Sequence, residues 1–220
     1  MLNNFVKIFG GWVMQLQSVT SVTIPDYRIY EYLLVLNPNE ELRQRVVRIK
    51  KEFCEKYKAA SGTGSKPYLA LVNFLQYELM EERIINRLRL ITMGHRPIKV
   101  EIKDFASFPS HTIFFNVISK VPVQSLVKEI RSNSQRLMKL NEDNKPHFML
   151  EPHITLARKL LPWQYEKGWL EYSKKHFTGR FIADHVLLLK RPAGEKGWQI
   201  RKCFDLMNLP VTTKQGELFQ

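Results

Sequence analysis

Hydrophobic and polar positions along the chain alternate between two periods, one of strands and one of helices. Residues 27–36 are dense in Tyr, Ile, Leu and Val and predict a strand that stops at Asn37-Pro38-Asn39. Leu42, Val46, Ile49, Phe53 and Tyr57 then recur at three- and four-residue steps, one face of a helix. Asn37 or Asn39 caps it, and Glu40 and Glu41 suit the positive end of its dipole. Gly62 and Gly64 mark a turn, and residues 66–75 read as a second strand. Leu79, Ile84, Leu88 and Ile91 stripe a helix over 77–92. Ile98, Val100 and Ile102 alternate with Lys99, Glu101 and Lys103 in a half-exposed strand over 98–105. Pro109-Ser110 turns the chain into a strand over 111–118. Pro122 opens a helix running to about residue 140, striped by Val123, Leu126, Val127, Ile130 and Leu137. A polar loop leads to a strand over 153–159, and Pro162 starts a helix over 162–176. Residues 180–190 predict one more strand, with 198–206 as its hairpin partner.

Two strand-helix-strand units therefore follow one another, with the stretches around Tyr68 and His153 at matching points. This reads as an internal duplication of an α+β unit. Two antiparallel-rich sheets around a central groove, with helices outside, would satisfy both sets of apolar faces. The expected organisation is an extension over 1–24, one bilobal domain over 25–208 and a tail over 209–220.

At 220 residues and 44% hydrophobic residues the chain can bury a core as one large domain or two lobes. Its 34 basic and 21 acidic residues give a net charge of +13, which favours partners carrying phosphate. Residues 158–191 alone hold eight basic side chains against three acidic ones. Cys54 and Cys203 lie too far apart in sequence for a metal motif and form no disulfide framework, so a reduced, cytoplasmic protein is expected. No stretch reads as a membrane span or a secretory leader, and a monomer is expected. Gly62-Thr63-Gly64-Ser65-Lys66 has the wrong spacing and the wrong following element for a phosphate-cradling loop. No cofactor is expected, and no acidic cluster suggests a metal.

The candidate chemistry lies in Pro152-His153-Ile154-Thr155-Leu156-Ala157-Arg158. Side chains two apart on a strand share a face. An imidazole beside a hydroxyl suits a phosphoryl group, one moving a proton and the other donating a hydrogen bond to a phosphate oxygen. The matching stretch, Pro67-Tyr68-Leu69-Ala70-Leu71, has the same shape without the histidine or the threonine.

In these motifs the chain resembles the 2H phosphoesterase superfamily, the 2′-5′ RNA ligase-like or cyclic phosphodiesterase proteins, over residues 27–204. The resemblance implies a bilobal, pseudo-symmetric α+β fold with a His-x-Thr/Ser-x motif on a central strand of each lobe. The second motif maps onto His153, Thr155 and Leu156, and the first onto Tyr68 and Ala70. It further implies one histidine as general base, the other as general acid, hydroxyls steadying the phosphate, and no metal. His153, Thr155 and Tyr68 are then the catalytic candidates, Tyr68 as a substitute donor because a phenol near pKa 10 is a poor base. His111, Arg158 and Lys66 are candidate substrate contacts, His111 also as a replacement for the absent histidine. Asn73 and Lys120 are candidates for the rim, and His147 could lie there too. Two functions stay open: a weakened phosphoesterase or 2′-5′ ligase-like enzyme acting on RNA ends or nucleotide phosphodiesters, and a catalytically silent RNA- or nucleotide-binding module.

Overall fold

A computed structural model describes residues 27–59 and 66–209; the expected N-terminal extension, the glycine-bearing turn and nearly all of the tail lie outside them. Strand β1 (Ile29–Leu36) leads into helix α1 (Glu40–Tyr57), which returns as β2 (Leu69–Tyr77). A 3-10 turn (Glu78–Met80) and α2 (Glu81–Gly94) follow, then β3 (Ile98–Phe108) and β4 (Thr112–Val117). Helix α3 (Lys120–Met138) precedes a two-residue strand β5 (His147–Phe148) and β6 (His153–Ala157). Helix α4 (Pro162–Tyr172) and strands β7 (Thr178–Ala183), β8 (His185–Pro192) and β9 (Gln199–Asp205) complete the chain.

The strands form two sheets, one ordered β5-β2-β1-β8-β9 and the other β6-β4-β3-β7, with every pairing antiparallel. Helices α2 and α3 pack on the five-stranded sheet and α1 and α4 on the four-stranded one. The fold is thus the expected α+β pair of sheets with helices on their outer faces.

Local chemistry explains the boundaries. The Asn39 side chain accepts from the Leu42 backbone N–H at 3.1 Å, and Lys58 closes α1 in a left-handed conformation. Pro162 occupies the first turn of α4, where its missing N–H costs nothing. The Gln164 side chain accepts from the Leu161 N–H at 2.9 Å and donates to the Tyr57 and Lys58 carbonyls, stitching α4 to the end of α1. Gly168 lets α4 pass against the Phe53 ring, where a Cβ would stand 2.8 Å from two ring carbons.

Three expectations need correction. The single strand over 180–190 is two strands in different sheets, because the chain crosses between sheets at Asp184, whose carbonyl accepts from the Leu206 N–H. Helix α4 stops at Tyr172, four residues early. Leu79 is exposed, since the residues before Glu81 form a 3-10 turn with its own phase.

On the core side, Glu81 is buried at 5% exposure and receives hydrogen bonds from Tyr32 (2.9 Å) and Arg201, and an ion pair from Lys190 (2.6 Å). Burial works to raise its carboxyl pKa, but the bonds from Lys190, Arg201 and Tyr32 outweigh that and hold it low. This network ties α2 to β1, β8 and β9.

Candidate functional site

The two motif strands are built alike down to their irregularities. In β2, Ala70 is opposite Val35 of β1, and Val72 is opposite Leu34, so Leu71 is an extra residue in the ladder. In β6, Thr155 is opposite Phe114 of β4, and Ala157 is opposite Ile113, so Leu156 is the extra residue. Burial repeats with the register. Pro67, Leu69, Leu71 and Val72 are buried while Tyr68, Ala70 and Asn73 are half-exposed. Pro152, Ile154, Leu156 and Ala157 are buried while His153 and Thr155 are half-exposed and Arg158 is exposed. Tyr68 thus stands where His153 stands, Ala70 where Thr155 stands, and Asn73 where Arg158 stands. Strands β2 and β6 come within 8 Å of each other at Cα, as the expected groove between the two half-motifs requires.

Side chains opposite each other in a sheet share a face. On the four-stranded wall, His153 and Thr155 are therefore joined by Asn116 and Phe114. The His153 ring lies 4.7 Å from the Phe114 ring and 5.2 Å, edge-on, from Phe108. Its Nδ1 is 2.7 Å from the Glu151 carbonyl oxygen. A carbonyl only accepts, so Nδ1 carries the proton and donates, and the neutral ring keeps its lone pair on Nε2. Burial lowers the imidazole pKa below its ordinary value, opposed by the bond and charge of Glu151. His153 is thus an oriented, neutral imidazole at neutral pH, the form of a base or a hydrogen-bond acceptor.

The opposite wall is apolar at the matching place. Val35, Leu187 and Leu189 are buried there, with Leu33, Tyr68 and Trp198 packed against them. Burial raises the Tyr68 phenol, only partly offset by the charge of Arg43. Tyr68 is therefore a protonated donor at neutral pH and no base. Further along this wall Asn73 donates to Glu31 (2.9 Å), and Arg191 Nε donates to the other Glu31 oxygen (2.7 Å).

The remaining candidates spread along the rim. His111 sits in the β3–β4 turn, its Nδ1 3.1 Å from the Pro109 carbonyl oxygen, and its own carbonyl accepts from the Leu160 N–H. Asn116, opposite His153, is five residues further along β4, about 16 Å at strand rise. By this register His111 lies towards the Arg158 end of the wall. Lys66 is exposed beside Tyr68. Lys50 of α1, near Arg158, is buried; burial pulls its ammonium down to about 8, Arg158 adds to the drop and Cys54 opposes it. Lys120 is paired with Glu151 at 2.8 Å. His147, on β5, lies opposite Asn73 and so shares its groove face. His95, His176 and His185 contact Glu129, Asp104 and Asp184, and none of these contacts includes a residue of either motif. The sequence reading missed the Phe108–Phe114 seat of His153 and the Glu31–Arg191 pair; the alternation Glu31, Leu33, Val35 was the available signal for the latter. Among the described residues, no group of three or more His, Cys, Asp or Glu side chains could hold a metal ion. Among the same residues, no helix is long and apolar enough to cross a membrane.

This bilobal architecture with paired motif strands defines the class. A family model for the 2′-5′ RNA ligase superfamily matches residues 38–195, and the chain belongs to that family. No curated protein sequence matches it. Among solved structures, TT0787 of Thermus thermophilus is similar with a TM-score of 0.61 at 16% identity, over 80% of this chain and 98% of that one. LigT of E. coli in complex with 3′-AMP gives 0.62 at 12% identity, over 81% and 98%. LigT in complex with phosphate gives 0.57 at 12% identity, over 81% and 98%. At these identities the structural likeness concerns the fold.

Proposed function

We propose that the groove is a nucleotide- or RNA-end-binding site of the 2H phosphoesterase type that has kept the phosphate-holding half of its machinery and lost the second proton shuttle. The observation that carries this reading is the pairing of equivalent, equally bulged strands, one bearing His153 and Thr155 and the other Tyr68 and Ala70. Thr155 offers a hydroxyl donor, and His153 offers Nε2 beside it. In-line opening of a cyclic phosphodiester needs a base on the attacking water and an acid on the leaving oxygen, on opposite sides of phosphorus. At the positions matching His153 and Thr155, Tyr68 supplies no imidazole and Ala70 no donor. Binding survives such losses because it rests on charge and hydrogen bonds; the net charge of +13 favours phosphate and makes the affinity fall with salt. Complexes of the neighbour LigT with 3′-AMP and with phosphate support the ligand class.

A second reading draws on Tyr68 itself. A protonated phenol across the groove from a neutral imidazole forms an acid–base pair, so a weak phosphodiesterase would use His153 as base and Tyr68 as acid. Incubation with 2′,3′-cyclic nucleotides and 2′-5′-linked oligonucleotides, followed by chromatography, separates the two. We expect binding without product. Product formation that disappears in His153→Ala would establish the weak enzyme instead.

A further inference from the structure

The five-stranded wall carries a polar cluster that the phosphate-binding centre does not use. Glu31 is opposite Arg191, Leu33 is opposite both Asn73 and Leu189, and Val35 is opposite both Ala70 and Leu187. All these side chains therefore share the groove face. Glu31 is four residues from Val35, about 13 Å along β1 from the Ala70 position. Arg191 is held from two directions. Its Nε donates to Glu31 at 2.7 Å, in the plane of the guanidinium, and the guanidinium carbon lies 4.2 Å from the Trp198 ring centroid. Glu31 is itself fixed by the Asn73 amide at 2.9 Å, and Trp198 is packed against the Val35–Leu187–Leu189 cluster. Arg191 keeps 25% of its side chain exposed. Tryptophan thus lies against the guanidinium, carboxylate occupies one edge, and part of the side chain stays exposed.

From this geometry we infer that Arg191 is the nucleobase platform of the groove: a base stacks on its free face, with Trp198, Glu31 and Asn73 as the residues that position it. The inference rests on the reading that the groove holds a nucleotide phosphate at His153 and Thr155. A fixed guanidinium plane is matched to a flat, polarisable ring, and bases stack on arginine planes as they do on aromatic ones. Every base has such a face, so the platform gives affinity for a nucleotide over a bare sugar phosphate without selecting a sequence. Lysine keeps the charge but has no plane, so Arg191→Lys isolates stacking from electrostatics.

The test is calorimetric titration of the full chain with adenosine 5′-monophosphate and with ribose 5-phosphate, which differ only in the base. We expect the unaltered protein to prefer the nucleotide by roughly tenfold or more. Arg191→Lys should bring that ratio towards one, and His153→Ala should weaken both ligands while preserving it. Should Arg191→Lys not fold by circular dichroism, Trp198→Leu removes the face beneath the guanidinium and gives the same readout. A ratio unchanged in these variants overturns the platform and leaves the phosphate reading standing, as does equal binding of both ligands by the unaltered protein. Binding of neither ligand by the unaltered protein overturns both.

Discussion

On the proposed reading, restoring the half-motif at Tyr68 and Ala70 should create or raise phosphodiesterase activity. The perturbation is Tyr68→His together with Ala70→Thr. Both positions are half-exposed on the groove face, and their strand repeats the register and the extra residue of the His153–Thr155 strand, so the new side chains point as their counterparts do. A positioned general acid or base is worth roughly 10²–10⁴-fold in rate, and one donor to a transition-state oxyanion about 10²–10³-fold. The two contributions act on the same phosphoryl group and do not multiply freely. A gain of about 100-fold is therefore the floor. Replacing the Tyr68 ring gives up part of its contact with Val35, Leu187 and Leu189, about 1 kcal/mol, a loss a domain stable by roughly 5–15 kcal/mol tolerates. The assay is hydrolysis of 2′,3′-cyclic AMP followed by chromatography, with 3′-AMP binding measured alongside. A folded double variant that binds 3′-AMP and turns over no faster than its parent would refute the reasoning, showing that the groove differs from a working site elsewhere too.

Three further expectations concern the scaffold. Gly168→Ala gains about 1 kcal/mol of helix propensity but sets a Cβ 2.8 Å from the buried Phe53 ring; with overpacking at about 1–3 kcal/mol, thermal denaturation should show a lower Tm, and a higher one would mean that Phe53 yields. Glu81→Gln strips Lys190 and Arg201 of a buried carboxylate while Glu78 stays with Lys190 at 2.7 Å and Glu82 with Arg201 at 2.9 Å; urea titration should show a loss of about 2–3 kcal/mol, below the full cost of breaking a buried pair because each cation keeps a second partner, and a loss under about 0.5 kcal/mol would contradict a structural role for the network. His153 has a folded pKa below its unfolded value of about 6.5, so the unfolded state binds the proton first as pH falls. Stability should then drop from about pH 6.5 down to the folded pKa and level off below it; His153→Gln should flatten that part of the profile, and a steeper slope in the variant would reverse the sign.

The sequence revealed elements wherever one local cause governed them. The Asn39 cap, the stripe from Leu42 to Tyr57 and the alternation from Ile98 to Ile102 each carry their own signal, and α1 and the start of β3 are where that signal puts them. The crossing at Asp184 has none, since no Gly or Pro marks it and residues on both sides suit strands. Strand β5 is two residues long and exists only through its pairing with Val72 and Asn73. At the candidate site, the spacing of His153 and Thr155 predicts the half-exposed strand face that they share. The place of His111 has no such signal, because it depends on the β4–β6 register. The Glu31–Arg191 pair depends on the β1–β8 pairing of residues 160 positions apart; alternation puts Glu31 on a face but does not choose its partner.

The central claim is that a phosphate sits beside His153. The direct measurement is the pH titration of its imidazole resonances by NMR, with and without 3′-AMP. A phosphate next to the ring favours the protonated form. We expect the His153 resonances to shift on addition of ligand and its pKa, depressed in the free protein, to rise, while Thr155→Val weakens the effect. Binding of 3′-AMP that leaves the His153 resonances and pKa unchanged would contradict the claim.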